Sequence, residues 1–295
     1  MPLSHFGLVL LICLAWGGNF LASAFALQHF PPYLFTTLRL VVLLLLLFPF
    51  LRPVAREQRW RLIVVAVLNG SLHFGLNFWA LKRAGDISST AIALQSYIPM
   101  SALLAVWWLG ERIGWRTASG IALAFAGILV LGFDPLVLDA PDALAMTLAA
   151  ALCLAIGTIL MRGIKDIGML EMQGWTALIG IPVLLAITFA FETGHWVAIT
   201  TASWRDWAGV AYTALIASLV GHGLLYYLVQ RHPVSEVTPY LLLAPVVAVA
   251  LGVLVWGDKP GPKLVIGGAM VLGGVLIVAL RAIARRRSAP VPMEA

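Results

Sequence analysis

The chain has 295 residues, of which 61% are hydrophobic and only 11% charged. A water-soluble domain carries about a quarter charged residues, so the composition excludes an ordinary soluble protein and fits one embedded in a bilayer. The net charge of +6 does not point to nucleic acid, because the bases lie in short connections and at the C-terminus.

A helix needs about 20 largely apolar residues to cross a membrane. Ten runs qualify, at 6–26, 33–51, 62–82, 88–109, 116–133, 143–161, 171–191, 207–229, 236–256 and 263–283. The predicted fold is all-α, a polytopic membrane protein with ten transmembrane helices. The first run lacks a basic leader and an A-x-A-like cleavage site, so it is expected to be retained as span 1. With the N-terminus cytoplasmic, the inside segments 52–61, 112–116, 162–165, 231 and 281–287 hold thirteen Lys and Arg against five on the other side. Positive charge concentrates inside, so both termini are predicted to be cytoplasmic. Localisation in the cell (inner) membrane follows.

Span 1 places Trp16 and Asn19 on one side, beside Gly17 and Gly18. Arg39 is the one Lys or Arg away from the ends of the runs; snorkelling to headgroups or a structural pairing is its expected role, over attraction of a carboxylate at the external mouth. In span 3, Asn69, His73 and Asn77 recur every fourth residue, an arc of about 80° on a helix. Span 4 presents Gln95, whose carbonyl is expected to be freed by Pro99. Cys13 and Cys153 read as small buried hydrophobes rather than a redox or metal pair. Span 8 repeats the stripe of span 3 with Ser218, His222 and Tyr226, and the two stripes are expected to face each other. Thr238 and Tyr240 open span 9, where Pro245 is expected to free the Leu241 carbonyl. The terminal RAIARRR reads as a cytoplasmic anchor.

The two halves resemble each other. CLAWG at 13–17 matches CLAIG at 153–157, and at an offset of 147 Gly110, Glu111, Gly120 and Gly127 fall on Gly257, Asp258, Gly267 and Gly274. Five helices per half is an odd number, so the second copy enters the membrane inverted. Inverted repeats characterise secondary transporters with a site near the midplane. The expected organisation is a first repeat over 1–135, a second over 139–285, and a tail over 286–295.

The stretches LAWGGNF, PPYLFTTLRL, QSYIPMSALLAVWWLGERIGWRTASGIALAFAGILVL and VSEVTPYLLLAPVVAVALGVLVWGDKP resemble the drug/metabolite transporter superfamily in its two-EamA-domain branch. Asp258-Lys259 stands where that family often has Glu-Arg. The resemblance is nearest to exporters of amino acids and related metabolites of the O-acetylserine/cysteine type. It implies a functional histidine on helix 3, which falls on His73, while alternating access is expected from two similar halves in opposite orientation exchanging conformations.

Mid-membrane polar side chains usually face inward and mark pathways, although each can also be a plain interhelical hydrogen bond. The expected substrate-binding set is His73, Asn77, Asn69, Trp16, Asn19, Gln95, Ser218, His222 and Tyr226. No carboxylate lies deep in a span, so the cavity reads as neutral to weakly basic and suited to small zwitterions rather than cationic drugs. Efflux of amino acids or their derivatives is the favoured activity, with other small amphipathic solutes or drugs as the alternative. A membrane-embedded enzyme is the remote alternative, because no HExxH pair, aspartate pair or nucleophile setting is present. The expected partners are a small-molecule substrate and the lipid bilayer, with no nucleic acid, metal or cofactor. A ten-helix monomer already contains both halves of a pathway.

Overall fold

The computed structural model describes residues 3–111, 113–232 and 234–288, without the side chains of residues 3, 234–236, 238 and 282–288. The described residues contain no strand. Ten helical segments are long and apolar enough to cross a membrane: Ser4–Leu27 (span 1), Pro32–Phe50 (span 2), Arg56–Ala84 (span 3), Ile87–Leu109 (span 4), Trp115–Gly132 (span 5), Pro141–Met161 (span 6), Met169–Phe191 (span 7), Trp204–Val229 (span 8), Pro239–Trp256 (span 9) and Pro262–Arg281 (span 10). Spans 3 and 8 begin earlier than their apolar runs because a polar first turn is also helical. At span 8, Asp206 accepts from the Ser203 backbone N–H and Oγ at 2.8 and 2.7 Å, closing a capping box. Leu45, Phe191 and Leu254 are 74%, 79% and 81% exposed. Side chains of this kind are stable facing lipid, where the solvent itself is apolar.

Spans 5 and 10 pack backbone against backbone. A Cβ placed on Gly127 would lie 2.6 Å from Gly267 O, and one on Gly267 would lie 2.6 Å from Gly127 O. Gly120 and Gly274 oppose each other in the same way. Shifting by the repeat offset of 147 converts the Gly120–Gly274 contact into the Gly267–Gly127 contact. Small residues permit such approach, and in lipid close packing is the main force between helices.

Span 4 breaks between Leu94 and Tyr97, and span 9 between Leu241 and Leu243. The carbonyl that Pro99 was expected to free is occupied: Ile98 N–H donates to Gln95 O at 3.1 Å, a tightened turn that compensates for the missing donor. Three stretches wind as π-helix, Ala66–Leu72 in span 3, Tyr212–Gly221 in span 8 and Gly252–Trp256 in span 9. His73 and His222 are the residues that immediately follow the first two. π-helical turns concentrate at functional sites.

Candidate functional site

In span 3, Asn69 sits within the π-helical turn with its carboxamide pressed flat on Gly157 of span 6, where no Cβ would fit. His73 is buried, and its Nδ1 lies 3.0 Å from Ala150 O of the same span. A carbonyl only accepts, so that nitrogen carries the proton. Asn77, one turn on, is buried with its Oδ1 unpartnered. In span 8, His222 Nδ1 donates to Ser218 O at 3.1 Å, and its ring lies against Trp16 of span 1 with centroids 5.2 Å apart. Trp16 Nε1 donates to Ala217 O at 3.0 Å, a carbonyl inside the π-helical turn.

The two stripes therefore do not face each other. His73 with Asn69 lies on span 6, and His222 lies on span 1, each the first helix of the opposite half. The line through the π turn holds, since Asn69 and His73 both meet span 6; span 2 packs against spans 3 and 8 and fills the space between the two stripes.

Span 2 stands between the stripes, and Arg39 joins them. Its Nε and Nη2 donate to Ser218 Oγ at 3.2 and 2.8 Å, and its Cζ lies 3.5 Å from the Phe74 ring centroid. Phe74 in turn packs edge-on to His73, with centroids 4.7 Å apart. Arg39 is only 4% exposed. Of the two roles expected of Arg39, structural pairing is what occurs rather than snorkelling, because Ser218 and Phe74 offer an acceptor and a π face within the bundle.

The remaining candidates fall around this centre. Asn19 Oδ1 has no partner, and Ser23, one turn along span 1, lies 3.4 Å from Thr213 Oγ1. Gln95 is half-buried at the break of span 4. His222 and Tyr226, one turn apart on span 8, are both exposed, as are Ile216, Val220 and Tyr227. Tyr240 is exposed and meets Phe6 edge-on at 5.4 Å; the Thr238 side chain lies outside the described residues. Sequence reasoning missed Gln173 of span 7, whose Nε2 donates to Ser218 O at 3.3 Å. Its only sequence signal is a lone carboxamide in an apolar run.

The end bearing the 84–87, 133–141 and 191–204 connections is tied by carboxylates that reach across to other spans. Asp258, after span 9, accepts from Ile87 N, Ser88 N and Ser88 Oγ at 3.0, 2.8 and 2.6 Å, capping span 4. Glu192, after span 7, accepts from Tyr33 N and Leu34 N at 2.8 and 3.0 Å, capping span 2. Asp134, after span 5, accepts from Leu264 N at 2.8 Å, near the start of span 10. Each places negative charge at the positive end of a helix dipole. Burial raises the Glu192 carboxyl above its ordinary range against these hydrogen bonds. Asp86, which caps span 4 from within, is pushed up to about 6, first by burial and further by Asp258 and Asp134 nearby.

A carboxyl with a raised folded-state pKa stabilises most below its ordinary pKa and loses that contribution as pH climbs through about 6. The thermal midpoint is therefore expected to fall between about pH 4 and 6, and Asp86→Asn is expected to flatten that segment of the profile. A profile unchanged by the substitution would remove Asp86 from the account.

The opposite end carries a different set of contacts among the described residues. Arg162 Nη1 meets Glu111 Oε1 at 2.8 Å, with both side chains about half-exposed. Arg61 Nη1 donates to Gly163 O at 3.1 Å.

Residues 4–133 and 142–280 each match the model of the EamA-like transporter family. The chain belongs to that family. This EamA-like protein is 29% identical over 284 residues to a probable amino-acid metabolite efflux pump of Salmonella typhimurium, covering 92% of this chain and 93% of the relative. A protein with the same description from Escherichia coli K12 is 28% identical over 92% of this chain and 93% of its own length. A probable terminal-alkyne amino-acid exporter of Streptantibioticus cattleyicolor is 28% identical over 82% of this chain and 80% of its own. A solved crystal structure shares the fold, with a TM-score of 0.62 at 19% identity over 98% of this chain and 100% of that one. The EamA-like protein is accordingly a multi-pass membrane transporter rather than an enzyme, acting on a small molecule within the bilayer.

Proposed function

We propose that the protein exports amino acids or amino-acid derivatives across the inner membrane by alternating access, with both termini cytoplasmic and repeats over 1–135 and 139–285. The observation that carries this reading is an asymmetry between matched residues. Asp258 and Glu111 are repeat counterparts, as are Ile87-Ser88 and Val234-Ser235. Asp258 is buried with three donors at the start of span 4, whereas Glu111 is half-exposed on Arg162. Among the described residues the two matched acids thus differ, Asp258 bonded to the start of span 4 and Glu111 to Arg162.

Transport would exchange these conditions: Asp258 releases span 4 while Glu111 leaves Arg162 for the start of span 9. An exposed ion pair contributes only about 0–1 kcal/mol, so Glu111 is easily released. The relatives' descriptions support amino-acid metabolites as the cargo, and the lack of any carboxylate deep in a span argues against cationic drugs.

Metabolites accumulating outside cells that overexpress the protein test the reading. Excess amino-acid metabolites in the medium are expected, and a medium identical to that of vector-only cells would contradict it. Within this account His73 holds Phe74, and through it Arg39, in place. His73→Ala is expected to lower flux at least ten-fold at unchanged folded yield, measured in proteoliposomes; unchanged flux would take His73 out of the mechanism.

A further inference from the structure

The guanidinium of Arg39 is a fixed positive charge, since arginine stays protonated in proteins. It lies seven residues into span 2 and meets Ser218, fourteen residues into span 8, so it stands well inside the bilayer. A charge at such depth is costly unless paired. No carboxylate lies deep in any span, and the two ion pairs formed among the described residues are both at the ends of the bundle.

The way Arg39 is held is specific. Ser218 Oγ donates its own proton to Thr213 O at 2.7 Å, which leaves only lone pairs toward Arg39. Nε and Nη2 both donate to that oxygen. One edge of the fork is thus fixed, and Phe74 fixes its plane. The other edge is not used: Nη1 is buried and has no hydrogen-bond partner. A guanidinium edge with two parallel N–H groups matches the two oxygens of a carboxylate. Buried donors are almost always satisfied, so an orphan of this kind needs an explanation. An amino acid supplies both what Arg39 lacks, a counter-charge and a pair of acceptors.

We propose that the Nη1–Nη2 edge of Arg39 is the anchor for the substrate carboxylate, with Ser218 and Phe74 as positioning residues. The inference rests on the transporter reading and adds to it a chemical requirement, that cargo carries a carboxylate. The edge is closed from solvent in this conformation, so the cargo reaches it when the bundle opens. The ammonium of an amino acid would be left to neutral acceptors, of which Asn77 Oδ1 and Asn19 Oδ1 stand without a partner.

The test uses purified full-length protein in proteoliposomes and measures efflux of L-serine, L-serinamide and L-serine methyl ester side by side, with L-cysteine and O-acetyl-L-serine as further acids. Wild type is expected to move at least one acid, and to move the amide and ester at least ten-fold more slowly than serine or not at all. Arg39→Gln is expected to lose acid flux at least ten-fold with normal folded yield, and Arg39→Lys to retain part of it, since the charge persists without the fork. Ser218→Ala is expected to raise KM more than it lowers kcat, because it frees the guanidinium without removing it. Equal flux of acid and amide through wild type, or acid flux through Arg39→Gln as fast as wild type, would overturn the carboxylate anchor and leave the transporter reading standing. Wild-type flux of none of these compounds would instead overturn the amino-acid reading, and the anchor with it.

Discussion

With the proposed orientation, Asp258→Ala is expected to unlatch the outer end. The carboxylate accepts two backbone N–H bonds and one hydroxyl bond at the start of span 4, and hydrogen bonds to a charged group contribute roughly 1.5–3 kcal/mol each. Water reaching the opened end would replace part of this, so a net loss of about 2–4 kcal/mol for the closed form is reasonable. That corresponds to a population shift of more than ten-fold toward the outward-open form. The readout is a cysteine at Ala91, one turn below Ser88 on span 4 and fully buried, in a protein whose Cys13 and Cys153 have been replaced by alanine. An impermeant maleimide added outside is expected to label Ala91→Cys more than ten-fold faster once Asp258 is removed. Equal labelling with and without Asp258 would mean that the network caps a helix and latches nothing. Glu111→Ala is the matched control, expected to leave this labelling slow or slow it further.

Gly274→Ala is expected to be severely destabilising while Gly273→Ala is neutral. A Cβ on Gly273 would meet nothing nearer than Leu123 Cδ2 at 3.9 Å, an ordinary contact. A Cβ on Gly274 would run into Gly120 O and lie 2.6 Å from Ala124 N. Both are backbone atoms, which cannot rotate away, so spans 5 and 10 would have to separate. Overpacking costs about 1–3 kcal/mol where side chains can yield, and here the upper part of that range or more applies. Monodisperse yield and thermal midpoint of a fluorescent fusion in detergent read the outcome: a clear drop for Gly274→Ala and none for Gly273→Ala. Equal behaviour of the two would show that the glycine contact is not what joins the halves.

The ten spans are legible in the sequence because bilayer crossing imposes length and hydropathy directly on the chain. The glycine pairs are legible as packing residues, but not in their pairing: the repeat aligns Gly120 with Gly267, whereas contact puts Gly120 on Gly274, since inverted copies meet antiparallel. The π-helical turns leave no mark in composition or period, so Asn69, His73 and Asn77 read as one α-helical line although the first lies inside a wider turn. The proline at 99 signals a missing donor correctly, but which neighbour compensates is a tertiary matter, and here Ile98 does so. Arg39 is visible in the sequence as the one Lys or Arg away from the ends of the apolar runs. Its inward direction depends on Ser218, 179 residues away in the chain, and no local pattern announces that meeting.

Counterflow in proteoliposomes tests the central claim most directly. Vesicles containing the purified protein are loaded with unlabelled amino acid and diluted into a trace of the labelled compound outside. An alternating-access carrier is expected to draw label transiently inward above its equilibrium level, because each return of the loaded site carries a counter-molecule. Label that only relaxes to equilibrium, at a rate indifferent to internal amino acid, would describe a channel and contradict the account.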